Sequence, residues 1–202
     1  AFHITGAPLS EYRRKRMLAY LRHAQNADGG FGLHIEGPST VFGTVLNYIA
    51  MRLLGVDADD EDARRARERL LALGGAAGMP TWGKFWLAVL NLYRWEGVLP
   101  LSPETWLLPR QLPFHPSRFW CHARAVLLPM SYLYGKRFQA AESDVIRALR
   151  QEIFVEAWES IDWPSLRLKV APSDLYTPHS PVLRATAALL SRYEQRPSRA
   201  LR

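Results

Sequence analysis

Residues 39–54 read as a helix with almost no polar side. Val41, Phe42, Val45, Leu46, Tyr48 and Ile49 fall nearly all round the helical wheel, so the segment must be enclosed by other elements. Ser39 is its candidate N-cap and Gly55 its stop. The next segment, 59–73, is the opposite: only Ala63, Ala66, Leu70 and Leu73 make an apolar stripe, and Gly74-Gly75 end it. Residues 82–95 are again apolar nearly all round. Enclosed helices alternating with amphipathic ones predict two helical layers, an inner apolar ring and an outer ring facing water. A solenoid of stacked helix pairs has the same pattern.

The rest of the chain agrees with an all-α class. A helix beginning at the N-cap Ser10 would carry Met17, Tyr20, Leu21 and Ala24 on one face. Pro100, Pro103, Pro109, Pro113 and Pro116 exclude one continuous helix between 100 and 116. Helix resumes near Ser117 and runs toward Tyr134, with Pro129 as a kink or break, and 143–154 and 182–193 are amphipathic helices. No period-two alternation stands out, so no sheet is expected. No linker divides the chain, which reads as one unit over 1–202 with a frayed end at 195–202. It opens on Ala1, and its first ten residues read as the tail of something longer, so a piece of a larger protein is expected.

Composition narrows the function classes. The formal net charge is +7. Arg64, Arg65, Arg67 and Arg69 are interleaved with Glu61, Asp62 and Glu68, the pattern of a solvated helical surface, and only Arg13–Arg16 forms a basic run. No recognition motif accompanies the charge, so no nucleic-acid partner is expected. Cys121 is alone, so no internal disulfide forms. No apolar run approaches the roughly 20 residues that span a bilayer, and no signal-peptide pattern is present. His115, Cys121 and His122 have the wrong spacing for zinc and lack a fourth ligand; His34-x-Glu36 is followed by no Pro-Cys-x-x-Cys. No metal is expected. Cys121 and His122 are adjacent, about 100° apart on a helix, and cannot act as nucleophile and base.

One turn carries a specific signal. Gln25-Asn-Ala-Asp28-Gly29-Gly30-Phe31-Gly32 follows Tyr20-Leu21. Glycines turn the chain, an aromatic ring packs back on the helix, and Gln25 is placed to bond free backbone groups at a helix end. This resembles the "QW" repeat of triterpene cyclases, with Phe31 where the repeat usually has Trp; a plain Gly-rich turn would look alike. Five further blocks resemble the oxidosqualene cyclase family in order: 34–48; 81–91 with Trp95-Glu-Gly97; 112–122 with 128–138; Ser160-Ile-Asp-Trp163; and Asp174-Leu-Tyr-Thr-Pro-His179. The likeness runs from about Tyr12 to Tyr193.

The resemblance implies an α/α barrel, one of two in the whole enzyme, with the active cavity between them. It implies acid-initiated cyclisation of 2,3-oxidosqualene to a tetracyclic sterol precursor, lanosterol or cycloartenol, without a cofactor. Stretches 112–116 and 133–138 look closer to the cycloartenol-forming members. The family's catalytic acid sits in an Asp-Cys-Thr-Ala-Glu motif that this chain lacks, so no catalytic residue is expected here and the isolated chain should be inactive. Asp28 and Asp162 sit in structural motifs. Trp120 and His122 match a cavity-lining Trp-x-His pair, with His122 near the late end of the cation, and Trp82 matches a cavity-wall position. For each, the alternative is ordinary core packing, which is also the expectation for Trp86, Trp95 and Trp106.

The segment 126–134, including Leu127, Leu128, Met130 and Tyr132, reads as an ordinary buried helix; the resemblance implies instead a substrate channel and monotopic contact with a membrane's cytoplasmic face, which its apolar run flanked by Lys136 and Arg137 would suit. Ala123 and Leu127 depart from the family's channel constriction. Rival readings are a squalene–hopene cyclase, a prenyltransferase subunit, or a helical-repeat scaffold binding through its basic surface.

Overall fold

The computed structural model describes residues 2–112 and 115–198; the expectations for Pro113 and for 199–202 lie outside these. Among the described residues, eight α-helices follow in order: α1 (Phe2–Thr5), α2 (Glu11–His23), α3 (Val41–Leu53), α4 (Glu61–Ala72), α5 (Thr81–Val89), α6 (Cys121–Lys136), α7 (Asp144–Glu152) and α8 (Pro181–Tyr193). Short 3-10 turns fill the connections, and no strand occurs among the described residues.

α3 is the enclosed helix that its composition demands. Val41, Val45, Tyr48, Ile49 and Met51 are buried, and α2, α4 and α7 pack around it. Its start is capped twice. Thr40 Oγ1, one residue beyond the expected Ser39, accepts from Gly43 N at 3.0 Å; the Ser39 hydroxyl is turned to the glycine turn, donating to Asp28 and accepting from Asn26 Nδ2. Asp174 supplies a second cap from far along the chain, its two carboxylate oxygens accepting from Val41 N at 2.8 Å and Phe42 N at 3.0 Å. Gly55 (φ +86°) stops the helix as expected.

α4 is amphipathic. Ala63, Ala66 and Leu70 face α3, while Arg64 pairs with Glu61 at 2.8 Å and Glu68 at 2.6 Å on the wet side. α7 is tied to α3 by Glu152, which meets Arg52 at 2.9 Å and accepts from the Tyr48 hydroxyl at 2.7 Å. Burial, then the Glu152 partner, pushes the Tyr48 phenol pKa well up.

The glycine-rich turn after α2 does what the motif physics requires. Gln25 Nε2 donates to Gly29 O (2.7 Å) and Asp62 O (2.8 Å), and Phe31 is buried against the core. α3 passes so close that a Cβ at Gly43 would lie 2.4 Å from Phe31 O. Asp28 accepts from Gly30 N and Ser39 Oγ and pairs with Arg69 at 2.9 Å. Burial alone would raise its pKa, but these partners outweigh it and hold the carboxyl below its usual value. Asp28 is therefore a structural group, as expected.

Two expectations change. Of the apolar face proposed for α2, only Leu21 is buried; Met17 and Tyr20 are exposed. The segment 82–95 is not one helix: α5 ends at Val89, and Asn91 takes a left-handed conformation (φ 63°) that turns the chain into a 3-10 turn at Trp95–Gly97.

Candidate functional site: an open aromatic face on α5 and α6

α5 and α6 carry all three expected site residues. Within α5, Phe85, Leu87, Ala88 and Val89 point inward. Trp82 and Trp86, four residues apart, share the outward face with 45% and 39% exposure, their rings edge-to-face at 6.3 Å. Helical spacing places Trp86 beside Trp82, and it also packs edge-to-face on the buried Phe85 ring at 5.6 Å.

α6 starts at Cys121, later than expected, because residues 116–118 form a separate 3-10 turn. Trp120 is its N-cap residue and is 71% exposed. His122 is also exposed and meets the Trp120 ring edge-to-face at 4.4 Å. The helix continues through Pro129 to Lys136. Its open side carries Val126, Leu128 and Tyr132, with Leu127 half-buried. Of the two readings of this segment, Met130 follows the buried one: it sits with Ser131 and Tyr134 on the side that packs into the core.

The two helices are fixed to each other by a chain of edge-to-face rings. Trp86 meets Phe85 (5.6 Å), Phe85 meets Trp95 (5.4 Å), and Trp95 meets Tyr134 on α6 (5.6 Å). Trp95 donates its indole N–H to Phe138 O at 3.1 Å, and Trp106 donates to Ser131 Oγ at 3.0 Å, so both are structural, as expected. The end of α6 is pinned by Arg137, which lies over the Tyr134 ring at 4.1 Å and pairs with Glu194 at 2.7 Å.

The described residues bring Trp120 to His122 and Trp82 to Trp86, but do not close a chamber around them. Three clefts, of about 350, 120 and 350 Å³, lie elsewhere, lined by groups such as Arg94 and Arg150, Phe154 and Lys169, and Tyr20 and Leu33. No metal-binding cluster occurs among the described residues, where His115 is engaged with Ser117. No described helix is long and apolar enough to cross a membrane.

Two functional-looking groups escaped the sequence reading. Lys84 is fully buried in α5 with its amine on backbone carbonyls; a lone lysine in an otherwise apolar segment was the available signal. Asp174 caps α3 from 133 residues away, and nothing in its local sequence points to that partner.

The family described as "Squalene-hopene cyclase N-terminal domain" matches residues 2–202. The chain belongs to this family. Among curated relatives, it is 54% identical over 200 residues to lanosterol synthase of Homo sapiens and 52% to that of Mus musculus, each match covering 99% of this chain. Cycloartenol synthase of Dictyostelium discoideum is 45% identical over 201 residues. The chain spans 27% of the length of the human and mouse proteins and 29% of the Dictyostelium one. All-helical architecture and family membership agree.

Proposed function

We propose that this chain is one barrel's share of an oxidosqualene cyclase, providing part of the wall against which 2,3-oxidosqualene is folded into a tetracyclic sterol precursor. The observation that carries the reading is the open aromatic face of α5 and α6. Trp82, Trp86, Phe119 and Trp120 are all exposed there, and large apolar rings left open to water mark surfaces that something else covers. Relatives about four times as long have the chain to cover it.

The chemistry asked of such a face is specific. A carbocation over an aromatic ring gains up to about 2 kcal/mol or more when desolvated, and the second barrel, packed on this face, would exclude the water that quenches it. Trp82 and Trp120 would present ring faces, and His122, held against Trp120, a polarisable ring at the same wall. The acid that starts the cascade belongs to the other barrel. The outward apolar side of α6, with Leu127, Leu128 and Tyr132 beside Lys136, suits peripheral contact with a membrane's cytoplasmic face, where the lipid-borne substrate resides.

The test is made in the full-length protein. Trp120→Ala and Trp82→Ala should each lower turnover at least tenfold or divert it to incompletely cyclised products, while the 202-residue chain alone forms none. Unchanged rate and product profile in both variants, or cyclisation by the isolated chain, would refute the proposal.

A further inference from the structure

Lys84 is the only charged residue of α5, and it is completely buried. Its ammonium group points away from the open face. It donates to Leu166 O, to Lys169 O at 2.6 Å and, at the limit of bonding distance, to Arg167 O at 3.5 Å. These carbonyls end the 3-10 turn Trp163–Leu166 and begin the strap after it. The ends of helical turns leave such carbonyls unpaired and gather partial negative charge there. The remaining carbonyl of the set, Leu168 O, is 2.9 Å from His179 Nε2. The strap is also held by Arg167, which donates to Glu96 O at 2.9 Å, and by Ala171 N, which donates to Gly78 O at 2.8 Å. α5 is therefore fastened to a fixed support through one side chain that lies between Trp82 and Trp86 in sequence.

We infer that Lys84 is a positioning residue for the Trp82–Trp86 face: its ammonium locks α5 to the 163–169 strap and so sets where the two rings project. Its importance for catalysis rests on the wall function proposed above; the lock itself does not.

The lock depends on charge. An ammonium group has three N–H donors for three carbonyls, whereas a neutral amine has two. Burial pushes the Lys84 pKa down to about 7, and the nearby positive charge of Lys169 pushes the same way. The other charged or titratable groups on this support are Arg167, committed to Glu96 O; His179, on Leu168 O; and Asp162, at the start of the turn. Lowering the amine's proton occupancy near neutral pH should free one carbonyl and let α5 move relative to the strap.

The experiment follows the indole N–H signals of Trp82 and Trp86 by NMR in the 202-residue chain between pH 6 and 9, assigned with Trp→Phe variants. Both signals should move with one midpoint. Lys169→Met, an exposed substitution, should raise that midpoint, and His179→Gln should leave the titration in place. Lys84→Met should abolish it. Signals indifferent to pH, a midpoint that Lys169→Met does not move, or a titration lost in His179→Gln would overturn the inference, the last by naming His179 as the source. The Lys169 and His179 variants keep the test decisive if Lys84→Met does not fold. Because the signals report on Lys84 and turnover of Trp82→Ala reports on the wall, failure of either idea is visible separately.

Discussion

Gly43→Ala sets two effects of opposite sign against each other, and the geometry decides between them. Gly43 lies in the first turn of α3, where alanine would favour the helix by at most about 1 kcal/mol. Against that, the new Cβ would lie 2.4 Å from Phe31 O and 2.6 Å from Gly32 O, when ordinary contact begins near 3.4 Å. Both obstacles are backbone, so no side chain can swing aside. α3 would have to retreat by about 1 Å from the glycine turn, an overpacking cost of roughly 1–3 kcal/mol or more. The retreat also strains Thr40 N→Phe31 O and Phe31 N→Thr44 Oγ1, both 3.0 Å and buried, at about 1 kcal/mol each if lost. The net expectation is a loss of about 2–3 kcal/mol, or roughly 4–12 °C in Tm for a chain of this size. Thermal or urea unfolding followed by circular dichroism measures it. Thr44→Val, which removes the same acceptor from Phe31 N without a clash, should cost about 1–2 kcal/mol. A Gly43→Ala variant as stable as the parent would refute the close-approach argument.

Three further outcomes are expected. Asp174→Ala should destabilise by about 2–4 kcal/mol, since two N–H groups at the start of α3 lose their acceptors along with a favourable charge, while Asp174→Asn should lose less; equal losses in urea unfolding would contradict the double cap. The Asp28 pKa is lowered in the folded chain, so its contribution is present above the unfolded carboxyl's pKa and fades as pH falls through the folded value; Asp28→Asn should flatten the acid limb of a stability–pH profile, and an unchanged limb would count against its pairing. Iodide should quench Trp120 far more than the buried Trp163, so Trp120→Phe should remove more of the quenchable fluorescence than Trp163→Phe.

Local physics was legible in the sequence, and distant partners were not. Ser10 and Ser143 cap the helices they precede, and Gly74 and Gly75 take positive φ where the α4 stripe runs out. Those signals lie within a few residues of what they control. The shift of the α3 cap to Thr40 was hidden because the Ser39 hydroxyl is turned to Asp28, eleven residues back. Nothing near Lys84 in the sequence signals its role, since its carbonyls lie 82–85 residues on. The tryptophans were visible as candidates, but an apolar helix does not announce which of its rings stay outside. Periodicity pairs Trp82 with Trp86; only the inward packing of Phe85 against Trp95 shows that this pair faces out. Met130 lies on the inner side of a helix whose other side is open, a division that an apolar run does not reveal.

The remote cap on α3 bears on how the chain matures. At a synthesis rate of about 5–20 residues per second, Asp174 leaves the ribosome roughly 7–27 s after the Val41 amide it serves, 133 positions earlier. During that interval the Val41 and Phe42 amides have only the nearby Thr40 cap beside them, and a ribosome that stalls before residue 174 would release a product whose central helix is held at its start by one cap in place of two.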